Sequence, residues 1–230
     1  MLTIDVPLLE LFDVQLQPDP PELKRGGGAH EEGPDVPLVV SLGKPQVQRV
    51  TAELAGKDEA LKAFLAAEKE HRYYLLHVAC SFDPDHDIRK AWLRASLHAG
   101  SGEPPIAWSM DPLRRGSKVT LQQKVALGAS LKFAEIGANI GEDTTVTTDF
   151  EKPFLEAYHE LQSDPYWAFT ATDETPLRGS YRLSMVVKAR AGRAAKADVT
   201  LRATVQRKKF GLIPYEIPAE AEPRLSVRLD

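Results

Sequence analysis

Residues 177–209 read LRGSYRLSMVVKARAGRAAKADVTLRATVQRKK, and their alternation decides the fold. Successive side chains of a strand point to opposite faces. In 177–190, Leu177, Tyr181, Leu183, Met185, Val187 and Ala189 share one face, while Arg178, Ser180, Arg182, Ser184, Lys188 and Arg190 occupy most of the other. In 197–209, Val199, Leu201, Ala203 and Val205 point one way, and Thr200, Arg202, Thr204, Gln206 and Lys208 the other. Turn chemistry at Gly192 and Arg193 separates the two runs, which predicts a β-hairpin. Pairing Arg190 with Lys196 superposes the two apolar faces and the two basic ones. The expected product is one basic sheet face made of Arg178, Arg182, Lys188, Arg190, Lys196, Arg202 and Lys208.

The same signals extend through the chain. Residues 72–82 (RYYLLHVACSF) and 88–98 (IRKAWLRASLH) flank the turn-rich Asp83-Pro84-Asp85-His86-Asp87. They predict a second hairpin, with Val78 and Trp92 on one core-forming face. Residues 118–133 alternate for sixteen positions, and 144–150 are placed to pair back with them. Shorter strands are expected at 2–17, 37–42, 105–110, 166–172 and 224–229. Residues 57–70 (KDEALKAFLAAEKE) predict a helix with Asp58 as N-cap and Leu61, Phe64 and Leu65 as its apolar stripe. Residues 153–162 suit a short helix started by Pro153, with a strand nearly as good. One-sided strands joined by turns predict a mainly β fold, an antiparallel β-sandwich-like domain with one or two short helices. Residues 1–230 read as a single β-rich domain interrupted by a flexible Pro/Gly-rich loop at 18–36.

Composition limits the setting. Cys80 is the single cysteine, so no intrachain disulfide forms. The N-terminal apolar stretch is broken by Asp5, Glu10 and Asp13 and follows no basic residues, unlike a signal or transit peptide. No run of about 18 apolar residues occurs. A cytoplasmic protein is expected, with no membrane partner.

Catalytic and metal patterns are not legible. Asp83, Asp85 and Asp87 open like a calcium loop, but Ile88 stands where glycine is needed and Arg94 where a bidentate Glu is needed. A polar turn is the expected role. Cys80 and His77 lie three apart, on opposite faces of a strand, which separates a thiol from its base. The histidines form no ligand-spaced pair, and no nucleotide-binding glycine pattern occurs. No catalytic residue, metal site or cofactor is therefore expected.

Charge is the remaining signal. The net charge is −4. From Glu135 to Thr175 there are ten acids against one base; from Pro176 to Lys209 there are ten bases against one acid. The segregation points to a non-catalytic module that binds a protein, or copies of itself, through the basic face and the acidic segment. Nucleic acid is the alternative partner, although a single-strand platform needs aromatic rings among its cations. An enzyme whose site is assembled from distant segments is the other alternative. The 118–133 run is too charged at its tip, and carries Gln123 on its would-be lipid face, for a pore strand.

Overall fold

Alternating sequence becomes extended backbone along most of the chain. The computed structural model describes residues 9–18, 38–83, 88–116, 131–133, 138–140, 153–172, 175–209, 213–221 and 224–229. In chain order these form β1 (Leu11–Pro18), β2 (Leu38–Gly43), β3 (Gln46–Arg49), helix α1 (Glu59–Ala67), β4 (His71–Phe82), β5 (Ile88–Ala99), β6 (Ile106–Asp111) and β7 (Arg114–Gly116). They continue with β8 (Leu131–Phe133), β9 (Ala138–Ile140), β10 (Pro153–Tyr158), β11 (Tyr166–Thr170), β12 (Gly179–Arg190), β13 (Ala195–Lys209), β14 (Ile213–Ala221) and β15 (Leu225–Arg228). Among the described residues the fold is mainly antiparallel β with one short helix, as the alternation predicts.

Hydrogen bonds link eleven of these strands in one path, with β3 and β15 attached beside it, and the two halves pack against each other as a sandwich. We call them sheet I (β6-β12-β4, edged by β2 and β3) and sheet II (β13-β5-β11-β10-β7, edged by β14 and β15). Strand β1 joins them, pairing with β2 through Leu11–Leu16 and with β14 through Leu16–Pro18. On the opposite side the turn after β10 bonds to β6. The Leu161 amide donates to the Ala107 carbonyl (2.7 Å), and the Ala107 amide to the Gln162 carbonyl (2.9 Å). His159 and Leu161 hold φ of 62° and 63° in this turn. That region is costly for a branched residue and persists where surrounding bonds fix it.

The inner faces carry the alternating apolar residues. Leu76, Val78, Cys80 and Phe82 of β4 and Leu183, Met185 and Val187 of β12 meet Ala91, Leu93, Ala95 and Leu97 of β5, Val199 and Leu201 of β13, and Trp167 and Phe169 of β11. Phe82 stands edge-on to Phe169 (5.3 Å between centroids) and tilts against Tyr181 (5.7 Å), joining the sheets. The buried Trp167 indole donates to the Pro112 carbonyl (3.0 Å), which satisfies its one polar group.

Helix α1 begins as its sequence predicts. Asp58 caps it, accepting from the Leu61 amide at 2.9 Å. Its stripe of Leu61, Phe64 and Leu65 covers Tyr73, Leu75, Val186 and Trp108 on the outer face of sheet I, giving a second, smaller core.

Both expected hairpins are corrected. Strand β12 pairs with β4 and β6, while β13 pairs with β5, β14 and β15, so the two are not neighbours. Arg190 lies opposite His71, and Lys196 opposite His98 and Arg228. Likewise β4 and β5 do not pair with each other. Each predicted hairpin is a crossing between sheets, in which apolar faces meet through side chains rather than backbone bonds. Residues 153–158 form a strand rather than a helix, because β7 and β11 flank β10 and take up its backbone groups. The 19–36 part of the Pro/Gly-rich loop, the 84–87 turn, the 144–150 run and all but the last three residues of the 118–133 run lie outside the described residues. Among the described residues no helix is long and apolar enough to cross a membrane.

Replacing Phe82 by alanine removes the ring that joins the sheets. It is expected to cost roughly 3–5 kcal/mol in urea denaturation, whereas Ser81→Ala, facing outward one residue away, should stay within about 1 kcal/mol.

Candidate binding face

Because β12 and β13 belong to different sheets, the seven cations expected on one face are divided. Arg182, Lys188 and Arg190 lie on β12 of sheet I, and Arg178 just precedes that strand. Lys196 and Arg202 project from the outer face of β13 in sheet II, with Lys208 further along that strand, opposite Pro214. Lys188 and Lys196 have local roles. Lys188 Nζ sits 4.3 Å from the centroid of the Trp108 ring. Lys196 Nζ pairs with Asp198 (2.9 Å), whose carboxylate also lies 3.2 Å from His98 Nε2 and accepts from Ser226 Oγ. Partial burial would raise the Asp198 pKa, but the Ser226 and Lys196 hydrogen bonds, with the nearby Lys196 and His98 charges, hold it below the usual carboxylate value.

A different constellation appears on the outer face of sheet II. The inward residues of β5 are Ala91, Leu93, Ala95 and Leu97, so the outward phase carries Lys90, Trp92, Arg94, Ser96 and His98. Trp92 is therefore outside the core, in contrast to the expectation that it shares a core face with Val78. Strand register sets its neighbours: Arg202 of β13 lies on one side and Ala168 of β11 on the other. One step along, Arg94 lies opposite Thr200 and Tyr166, and Tyr166 lies opposite Tyr158. The Tyr158 and Tyr166 rings stack at 5.1 Å with 14° between planes, and the Arg94 guanidinium sits 5.5 Å from the Tyr166 centroid. His159 stands edge-on to Tyr166 at 5.0 Å.

The margin of this face carries both charge and apolar surface. Arg114 of β7 lies 3.5 Å from Glu156, which also accepts from the Tyr158 hydroxyl at 2.9 Å. Tyr158 (40% exposed), Leu161 (59%) and Leu113 (41%) are among the most exposed large apolar residues described. Three aromatic rings beside Arg94 and Arg202 give this face the residue types that dominate binding hot spots.

The sequence assigns Tyr158 and Tyr166 no binding role and places Trp92 in the core. The missed signal is the phase of β5. Ala91, Leu93, Ala95 and Leu97 form an unbroken apolar series, and Trp92 falls in the series with Lys90, Arg94 and His98. A large indole draws the apolar assignment to its own phase, although small alanines fill the core where two sheets approach closely.

No arrangement for nucleophilic catalysis is found at the two groups best suited to it. Cys80 faces the main core, where burial pushes its thiol pKa well up, so it stays protonated and inert. His77 faces the other way, toward the helix side, as the three-residue spacing requires. Its Nδ1 lies 2.8 Å from Ser184 Oγ, the register partner across β12. Both side chains are buried, and solvent burial pushes the imidazole pKa down to about 4, making it neutral and weakly basic at pH 7. A substrate cannot reach a hydroxyl that solvent does not reach. Among the described residues, no three His, Cys, Asp or Glu side chains converge as a metal set.

The buried His77 links stability to acidity. Its pKa falls from 6.5 toward about 4 on folding, so between these values the unfolded chain binds the proton and the native chain does not. Stability is full above pH 6.5 and should fall on the order of 3 kcal/mol as pH drops to 4. In denaturant titrations, His77→Gln should remove that part of the pH dependence. Comparison with known protein families and with curated protein sequences finds no match for this chain.

Proposed function

We propose that the chain is a non-catalytic protein-binding module whose working surface is the outer face of sheet II. The observation that carries this is the placement of Trp92, Tyr166 and Tyr158 beside Arg94 and Arg202 on one outward sheet face. Aromatic and arginine side chains supply large contact area at low entropic cost and pair well with a partner's acids. Both signs occur there, Arg94 and Arg202 with Glu156 and Asp198, so a second copy related by a two-fold axis can set opposite charges against each other. Self-association is therefore the form of the proposal to test first.

A second reading, single-stranded nucleic acid, is favoured by the interleaving of rings and cations that such platforms require.

Light scattering on a sizing column, at low and at high salt, separates the readings. Self-association predicts a multiple of 25.4 kDa that falls toward the monomer as salt rises, and at low salt for Arg94→Glu combined with Tyr166→Ala. A 25.4 kDa species at both salts contradicts self-association. In that case a fluorescent oligothymidine that binds with a steep salt dependence, and is lost with the same double variant, establishes the second reading.

A further inference from the structure

The turn between β10 and β11 displays an apolar side chain that the fold does not use. The Gln162 amide donates to the His159 carbonyl (3.1 Å), closing a four-residue turn whose third residue, Leu161, has a φ of 63°. A positive φ there favours glycine, which adopts it without steric cost. The chain places leucine instead, and at 59% exposure it is the most exposed of the large apolar residues described. Neither backbone conformation nor burial accounts for that choice. Exposed Glu160 precedes it, and Asp164, 3.1 Å from His159 Nδ1, follows. Both acids belong to the acid-rich run from Glu135 to Thr175. The result is an apolar knob flanked by carboxylates.

A recess of complementary character lies on the helix side of sheet I. Between α1 and the start of β4 there is a cleft of about 400 Å3. Val50, Tyr73, Leu65 and Ala66 give it apolar walls, and Lys62 and Lys69 line it as well. Lys62, Leu65 and Ala66 share one face of α1, and Lys69 follows just past the end of the helix. One acid, Glu68, shares the lining, but its Oε1 is taken up by the Glu70 and His71 amides at 3.0 and 3.2 Å. Lys62 pairs with Glu59 at 2.8 Å, whereas exposed Lys69 forms no ion pair with a described residue.

Knob and cleft are apart within one chain. The turn bonds to Ala107 of β6, Ala107 lies opposite Val187 of β12, and Val187 lies opposite Tyr74 of β4. Three strand spacings, roughly 14 Å, therefore separate the turn from the cleft wall. Two complementary but different patches on one molecule suit a contact between copies. We infer that Leu161 of one copy inserts into the cleft between α1 and β4 of the next, with Glu160 and Asp164 facing Lys62 and Lys69. Opposite charges around the knob and the cleft orient the encounter. Such a contact is head-to-tail, so it propagates into a ring or an open filament rather than closing as a two-fold dimer. It rests on self-association but not on the sheet II face, since it uses none of Trp92, Arg94 and Arg202.

Sedimentation velocity of the full chain at low salt, with the variants Leu161→Gly and Ala66→Glu, tests it. The first removes the knob and relieves the turn. The second places an acid at the cleft on an exposed helical position that tolerates glutamate. Each alone should weaken assembly by about tenfold or more, the loss expected when a leucine side chain is no longer buried. An equimolar mixture of the two should form a species heavier than either variant alone, because the intact cleft of one receives the intact knob of the other. Two-fold pairing through sheet II gives no such complementation. Circular dichroism checks that both variants are folded, and Leu161→Gly should be no less stable in urea than the unaltered chain. The inference is overturned if the unaltered chain stays a 25.4 kDa monomer up to its solubility limit, if either variant assembles as the unaltered chain does, or if the mixture is no heavier than its components. Assembly lost with Arg94→Glu plus Tyr166→Ala, yet kept by both variants, overturns this contact and leaves the sheet II reading standing. A mixed species formed by chains that also carry Arg94→Glu supports this contact as separate from sheet II.

Discussion

The structure depends on one packing arrangement: the paired strands β4 and β12 lie face to face on the paired strands β5 and β13. Twelve register pairs zip the first two together, from Gly179 opposite Phe82 to Arg190 opposite His71. The second two run from Ala195 opposite Ala99 to Val205 opposite Ile88, with one irregularity after Thr204. The connections β4 to β5 and β12 to β13 both pass between the layers, so each strand finds its backbone partner in a distant segment and its side-chain partner in the near one. Burial then follows. A face apolar in all four strands becomes the common core, and its alanines let the sheets approach while Phe82, Trp167 and Phe169 fill the interior.

This explains what was legible and what was not. Period-2 alternation identifies a strand and its buried phase but not its hydrogen-bonded neighbour, because a hairpin and a crossing bury the same residues. The strands at 177–190 and 197–209 were therefore correctly read and wrongly paired. Helix α1 was legible to its cap because Asp58 and the 3.6-residue stripe are local signals. Strand β14 was not, since Pro214 and Pro218 argue against a strand. They are tolerated because β1 covers only Ala219–Ala221, leaving the proline-bearing part as an edge. In the candidate face, the arginines of β5 and β13 are visible as an outward phase. Trp92 and the Tyr158–Tyr166 stack come together only through the order β13-β5-β11-β10, which no local pattern specifies.

The same arrangement redistributes the charge that dominates the sequence. The basic run from 176 to 209 crosses the sandwich and presents its cations on both outer faces. On sheet II, Arg202 joins aromatic residues from β5, β10 and β11. On sheet I, Lys188 packs over Trp108 and Arg190 lies opposite His71. A charge pattern segregated in the chain thus reaches two separate surfaces, the aromatic face of sheet II and the Lys188–Trp108 contact of sheet I. The buried His77–Ser184 contact belongs to neither; it supports the strand pair beneath the helix and leaves Nε2 without a partner.

Oxidative cross-linking across β4 and β12 tests the pairing most directly. Ser81 and Ser180 are register partners on the outer face, with hydroxyl oxygens 3.2 Å apart. With Cys80 replaced by alanine, Ser81→Cys together with Ser180→Cys places two thiols where a small rotation brings the sulfurs to the disulfide distance of about 2.05 Å. The account predicts near-complete intramolecular disulfide formation under mild oxidation in the folded chain, seen as faster migration on a non-reducing gel. A folded chain that forms no such cross-link would contradict the β4–β12 pairing, and with it the sandwich built on that pair.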